Sequence, residues 1–373
     1  MKKWIALVVI VSTLFSCVKE NTNGNIDNYN RQKLLSNWVE HSIIPSFIAL
    51  ETEVQAMQTI KNSFANSATQ DDLNKLKNNL FEAQKAWQYT AMFDLGQNFE
   101  DLASFRLFTG NYPVDPVLIK EQISNMNTTV DVNFNSSASI HYQGLNAIDY
   151  LVNSNTFTSF ENKENYQLFL SKVIDALLTR ISQRKTYWET NKETIINNTN
   201  KTATGSFSVM INDYISYAEQ ELRTAKIGNP SGTFPNSSPV ETIAEAVESY
   251  YSSENSKALF IENLKAFKNL FYGASYDGSI VSGSGIQEYL NFLNSDITIG
   301  NQTVLLSKYI EKNFDDIDVA VANLDDDFAK QVETDNAKMI ALYNVLQDFI
   351  PLLKTNMMQV LNINIDYVDS DGD

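Results

Sequence analysis

Apolar residues recur at three- and four-residue steps through most of this chain. Leu73, Leu76, Leu80, Ala83 and Trp87 follow a Thr69-x-x-Asp72 start that has the form of a capping box. The same period puts Leu170, Ile174, Leu177 and Ile181 on one stripe, and Ile211, Ile215, Ala218 and Leu222 on another. It continues in Val240, Ala244, Val247 and Tyr251, then in Phe260, Leu264, Phe267 and Phe271, then in Ile317, Val321, Leu324 and Phe328. The last long stripe is Met339, Leu342, Leu346, Phe349 and Leu353. Pro351 is expected to bend or break that helix, because it has no amide hydrogen to donate. Each stripe gives a helix one apolar face, which is what packing in a bundle requires.

Polar and turn-forming stretches separate these helices. A turn at 111–116 precedes a helix, and residues 127–139 form a polar loop rich in Asn, Thr and Ser. Breaks are also expected at 197–204, as a sharp loop at 228–232, and as a flexible one at 278–285. Three β-branched runs, 129–132, 297–299 and 363–367, read as short strands, too few to form a core. The fold class is therefore all-α, with roughly eight main helices in two related helical-bundle domains, 30–200 and 201–373.

The N-terminus differs in kind. Lys2 and Lys3 precede an apolar run at 4–16, and the chain's single cysteine, Cys17, follows directly. That is the layout of a bacterial signal peptide over 1–16 ending in a lipobox, with Leu14 three residues before the cut and Ser16 next to it. Cys17 is then the lipidation site, and the Asn-rich segment 17–29 is a tether from lipid to folded body. The run is shorter than the ~20 residues a membrane span needs. The expected location is the envelope of a Gram-negative bacterium, anchored at the outer membrane and facing the periplasm or the cell surface.

Composition narrows the chemistry. The net charge is −17, and about −19 once Lys2 and Lys3 are removed, so phosphate backbones are repelled and nucleic acid is not an expected partner. With one cysteine, a disulfide within the chain is impossible. The only histidines are His41 and His141, and no H-E-x-x-H is present, which disfavours ordinary zinc-protease chemistry.

Residues 143–152 read Gln-Gly-Leu-Asn-Ala-Ile-Asp-Tyr-Leu-Val. The segment Gly144-Leu145-Asn146-Ala147-Ile148-Asp149 resembles a diverged form of the G-x-H-x-x-E signature of imelysin-like proteins. Further stretches are similar to that family in order along the chain: 43–47, Ala86-Trp87-Gln88, Phe105-Arg106, 112–115, 217–232, 247–252 and 365–373. The resemblance is to the lipoprotein branch. It implies two related all-helical bundles, a signature near the domain interface, and an envelope protein associated with iron uptake. Some members have been described as metallopeptidases, on the strength of a metal-like signature.

Here Asn146 and Asp149 stand where that family has His and Glu. Asn is a poor transition-metal ligand beside imidazole, and Asp is a shorter carboxylate, so a His-dependent metal site is disfavoured. What survives is an oxygen-rich pocket for a hard cation or a hydrogen-bonding pocket for a polar ligand; the sequence requires no cofactor, and a metal ion is one that stays open. The candidate ligand-binding residues are Asn146, Asp149, Arg106, Gly144, Glu219, Arg223 and Lys226.

Each has a plainer reading. Asn146 and Asp149 at i,i+3 share a helix face, where they either meet a ligand or satisfy buried groups at a helix crossing. Arg106 is placed to pair with Asp149 across the bundle. Glu219, Arg223 and Lys226, at i, i+4 and i+7, suit ion pairs on a helix surface. Trp87, Trp188, Tyr250 and Tyr251 read as core. The acidic runs 315–318 and 325–327 read as solvated helix faces. The ending Asp369-x-Asp371-Gly372-Asp373 resembles the start of a calcium loop without its closing Glu. Asp149, Asp369, Asp371 and Asp373 are thus the weak metal candidates.

Three functions remain open on this reading. The first is a non-enzymatic lipoprotein that binds a ligand or an envelope partner linked to iron uptake. The second is a metal-dependent peptidase, and the third a structural surface-interaction protein.

Overall fold

A computed structural model describes residues 27–66, 69–93, 105–126, 132–154, 164–233, 241–281 and 284–366. Cys17, the segment 1–26, residues 127–131 and the acidic ending with Asp369, Asp371 and Asp373 lie outside the described residues.

The described chain is all-α apart from one small hairpin. Helix α1 covers residues 31–66 and includes a π-helical stretch, Asn37–Ile43. Asn30 caps its start, with Oδ1 accepting the Lys33 amide at 3.0 Å. Helix α2 is Gln70–Thr90, and its expected cap is present: Thr69 Oγ1 accepts the Asp72 amide at 3.1 Å. Short helices α3 (Phe105–Gly110) and α4 (Pro116–Asn125) follow, then α5 (Gly144–Asn153) and the long α6 (Glu164–Asn197). Helix α7 covers residues 206–231, with a π-helical stretch at Ala218–Gly228. After it come α8 (Ser256–Tyr272), α9 (Ile286–Leu293), α10 (Leu306–Ala322) and α11, residues 328–361.

Helix α1 packs along α2 and α6, and α5 sits on α2 and α6. In the second half, α11 packs against α10 and the π-helical part of α7. Helix α8 lies against α2, so the halves share helix-to-helix contact, and a single apolar core runs through both. The stripes read from sequence supply it: Leu73, Leu76 and Leu80, Leu170, Ile174 and Leu177, and Leu342, Leu346 and Leu353 are all buried. Each such side chain contributes roughly 1.5–3 kcal/mol on burial. No helix among the described residues is long and apolar enough to cross a membrane.

Several local expectations are corrected. The described part of the stripe Val240–Tyr251, from Ala244 on, does not form one helix. Residues 241–255 are a loop with 3-10 turns at Ala244–Ala246 and Tyr250–Asn255, and Ser249 is left-handed at φ +59°. The stripe from Ile317 to Phe328 spans two helices, because α10 ends at Ala322 and α11 begins at Phe328. Lys257 bridges that gap, its Nζ donating to the Leu324 carbonyl at 2.7 Å. Helix α7 runs through Gly228 and Pro230, and the turn closes at Gly232, which is left-handed at φ +69°. Pro351 does not end α11; a π-helical stretch, Leu352–Met357, follows directly and carries the helix past the missing donor.

One expected strand is present, in an antiparallel pair of β1 (Asp296–Ile299) with β2 (Gln302–Leu305). Residues 363–366 are not a strand. They lie along α7, where Asn212 Nδ2 donates to the Asn364 carbonyl and Oδ1 accepts the Asp366 amide, both at 3.1 Å. One side chain there satisfies backbone groups that a strand partner would otherwise take.

Candidate functional site

The signature forms the start of α5. Gly144 has φ +79°, and a Cβ at this position would lie 2.4 Å from the Thr109 carbonyl oxygen. Only glycine fits so close to α3 in that conformation. This approach sets the pitch of α5, so that Asn146 and Asp149 face the loop 247–252.

Both side chains are buried, Asn146 at 5% and Asp149 at 0% exposure. Asn146 uses both ends of its amide. Nδ2 donates to the Gly110 carbonyl at 2.9 Å, and Oδ1 accepts the Ser249 amide at 2.9 Å. Asp149 Oδ2 accepts the Tyr251 amide at 2.9 Å. Its Oδ1 accepts from Ser252 Oγ at 2.6 Å and from Asn153 Nδ2 at 2.8 Å. Burial raises the Asp149 pKa to about 6, against these three bonds, and nearby Glu254 pushes the same way.

A second polar group holds the same loop from the other side. Lys226 pairs with Glu248 and donates to Gln88 Oε1 at 3.0 Å, while Gln88 Nε2 donates to Glu248 Oε1 at 3.1 Å. Gln84 Nε2 donates to Ser249 Oγ at 2.7 Å. Four of the five residues from Glu248 to Ser252 are therefore tied to α2, α5 or α7.

Glu219, Arg223 and Lys226 are not surface ion pairs. All three are buried, turned inward by the π-helical stretch of α7. Arg223 lies 3.6 Å from Glu219 and donates to Gln347 Oε1 at 2.6 Å, and Lys354 donates to Glu219 at 3.3 Å. Arg106 does not meet Asp149. It pairs with Glu221 at 3.5 Å and lies over the Tyr217 ring, 5.8 Å from its centroid. His41 and His141 are exposed.

Beside the signature is a small cleft of about 100 Å³. It is lined by Tyr112, Pro113, Val114 and Pro116, by Asn146 and Asp149, and by Glu245, Val247, Tyr250 and Tyr251. Of the residues singled out from sequence, Asn146 and Asp149 reach it, and Arg106, Glu219, Arg223 and Lys226 do not. Tyr250 and Tyr251, read as core, are half-buried walls of the cleft. Their adjacency in sequence carries no sign of this, because the left-handed Ser249 turns Tyr251 out of the expected stripe. Trp87 and Trp188 are core, as expected.

A metal ion at the signature does not fit the residues present. Both Asp149 oxygens and the Asn146 oxygen already accept protein donors. Among the described residues no group of three or more His, Cys, Asp or Glu side chains is placed to hold a metal.

An all-helical body with a polar, hydrogen-bonded signature under a small cleft defines the class. The imelysin family profile, Peptidase_M75, matches residues 43–350, and the chain belongs to that family. Its fold is similar to the crystal structure of an imelysin-like protein from Psychrobacter arcticum 273-4, with TM-score 0.68 and 16% identity over 91% of this chain and 97% of that one. It is similar also to a protein assigned as an iron-regulated protein A precursor from Parabacteroides distasonis ATCC 8503. There the TM-score is 0.67 and the identity 16%, over 89% and 94% of the two chains. No curated protein sequence matches.

Proposed function

We propose that this chain is a lipid-anchored envelope protein that binds a ligand or partner in iron uptake, without itself being an enzyme. The cleft beside the signature is its binding site. The observation that carries this reading is the fate of the signature oxygens. Asn146 and Asp149 spend theirs on the backbone of the loop 249–252, so they shape a cleft rather than present a metal or a general base. The sequence layout of the first 17 residues supports anchoring through Cys17 at the outer membrane. The link to iron is supported by the iron-regulated protein A precursor with a similar fold.

The test is a deletion strain grown under iron limitation and complemented in parallel with the wild type and with Tyr251→Leu. Restored growth with the wild type alone supports both the role and the site. Equal rescue by both removes the cleft from the function. A deletion with no growth defect removes the link to iron.

A further inference from the structure

The cleft has a chemistry that none of its polar hydrogen bonds explains. Tyr250 and Tyr251 meet edge to face, with centroids 5.1 Å apart and planes at 75°, so two π faces stand nearly at right angles. Tyr150 and Tyr251 make a second edge-to-face pair, at 4.9 Å and 67°. The Tyr112 ring, Val114, Val247 and the two prolines close the remaining walls.

Among the described residues two lining side chains are charged, and both are acidic: buried Asp149 and exposed Glu245. The wider field has the same sign. Burial is the main cause that raises the pKa of both tyrosines, and the acidic groups add to it: Glu245, Glu333 and Asp327 at Tyr250, and, after the Tyr150 and Tyr250 hydroxyls, Asp149 and Glu245 at Tyr251. Among the described residues no lysine, arginine or histidine lines the cleft. Adjacent aromatic faces in a negative field attract a cation that sheds its water easily. Ligand pockets for whole drug-sized molecules run to about 300–1,000 Å³, so a space of about 100 Å³ suits a head group.

We propose that the cleft binds a small organic cation through an alkylated ammonium group, seated on Tyr250 and Tyr251 and facing Glu245 and Asp149. This rests on the reading of the cleft as the binding site and adds the class of ligand. An inorganic divalent ion is the wrong occupant, because both Asp149 oxygens already accept protein donors and, besides Asn146, Asp149 and Glu245, the described lining is made of prolines, valines and tyrosines.

The experiment is calorimetric titration of the purified protein with choline chloride and, at matched ionic strength, with its uncharged isostere 3,3-dimethyl-1-butanol. Choline is expected to bind saturably and the isostere at least about tenfold more weakly. Tyr251→Leu is expected to weaken choline binding about tenfold, and Glu245→Gln, an exposed change, severalfold, with circular dichroism unchanged in both. Equal binding of choline and isostere overturns the proposal in favour of a merely apolar cleft. No binding of choline or of tetramethylammonium also overturns it. If that result comes with failed complementation by Tyr251→Leu under iron limitation, the cleft stays the binding site and only the cation is wrong. If Tyr251→Leu complements fully, the site itself falls too.

Discussion

The carboxamide oxygen of Asn146 accepts the backbone amide of Ser249 at 2.9 Å, across 103 residues of sequence. In a helix that amide would bond to a carbonyl four residues earlier. Here it is taken by another element, Ser249 turns left-handed, and the apolar stripe from Ala244 to Tyr251 becomes a loop instead of a helix. The two tyrosines that follow then reach the cleft.

Asn146→Ala removes both bonds at once and leaves the buried Gly110 carbonyl and Ser249 amide without partners. Each unsatisfied group costs about 1–3 kcal/mol. A lower midpoint in urea unfolding is expected, with faster hydrogen exchange at Ser249, Tyr251 and Ser252 than elsewhere.

Gly144→Ala puts a methyl group 2.4 Å from the Thr109 carbonyl at a backbone angle of φ +79°. Gly278 has a similar angle, φ +89°, but a Cβ there meets nothing within 4 Å. Both substitutions carry the backbone strain, about 1–3 kcal/mol, and only the first adds the overlap. Thermal unfolding of the two variants is expected to show the larger drop for Gly144→Ala. Equal drops would mean that α3 simply moves aside.

Lys226→Met leaves Glu248 buried beside Gln88 with its cation removed. Breaking a buried pair on one side costs about 3–5 kcal/mol. The double variant Lys226→Met with Glu248→Gln removes the uncompensated charge and is expected to unfold at a higher denaturant concentration than Lys226→Met alone.

Asp149 carries a pH signature. Its pKa is raised by burial to about 6, above the ordinary 3.8. The folded protein therefore holds this proton more tightly than the unfolded chain does. The stabilisation is fully present below about pH 4 and is lost as pH rises through about 6. Other carboxylates oppose this; Asp277, hydrogen-bonded by Ser275 and Ser279, is held down at about 2. The clean measurement is thus the difference in unfolding free energy between the wild type and Asp149→Asn. That difference is expected to shift in favour of the wild type as pH falls from 7 to 4. A difference that stays flat with pH would place the Asp149 titration at its ordinary value.

Most of the helical framework was legible in the sequence, because a stripe of period 3.6 requires only that one face of each segment be buried. The Thr69 cap, the stripe ending at Trp87, the long helix through Leu170 and Ile181, and the break after Asn197 follow from neighbouring residues alone. The candidate site was legible in part. Gly144, Asn146 and Asp149 stood out as a signature, but Glu219, Arg223 and Lys226 looked like a surface row. A regular 3.6-residue count places them outward, and the π-helical stretch that turns them inward leaves no mark in their spacing.

Local pattern therefore determined the class of fold, the run of helices and the position of the signature, since these depend on hydrophobic period and turn chemistry within a few residues. Long-range hydrogen bonds decided the rest. Asn146 and Asp149 win the amides of Ser249 and Tyr251 from the helix that their own segment favours, because a buried amide takes whichever acceptor the packed fold brings within reach. That competition, settled between residues about a hundred positions apart, is what opens the cleft and lines it with Tyr250 and Tyr251.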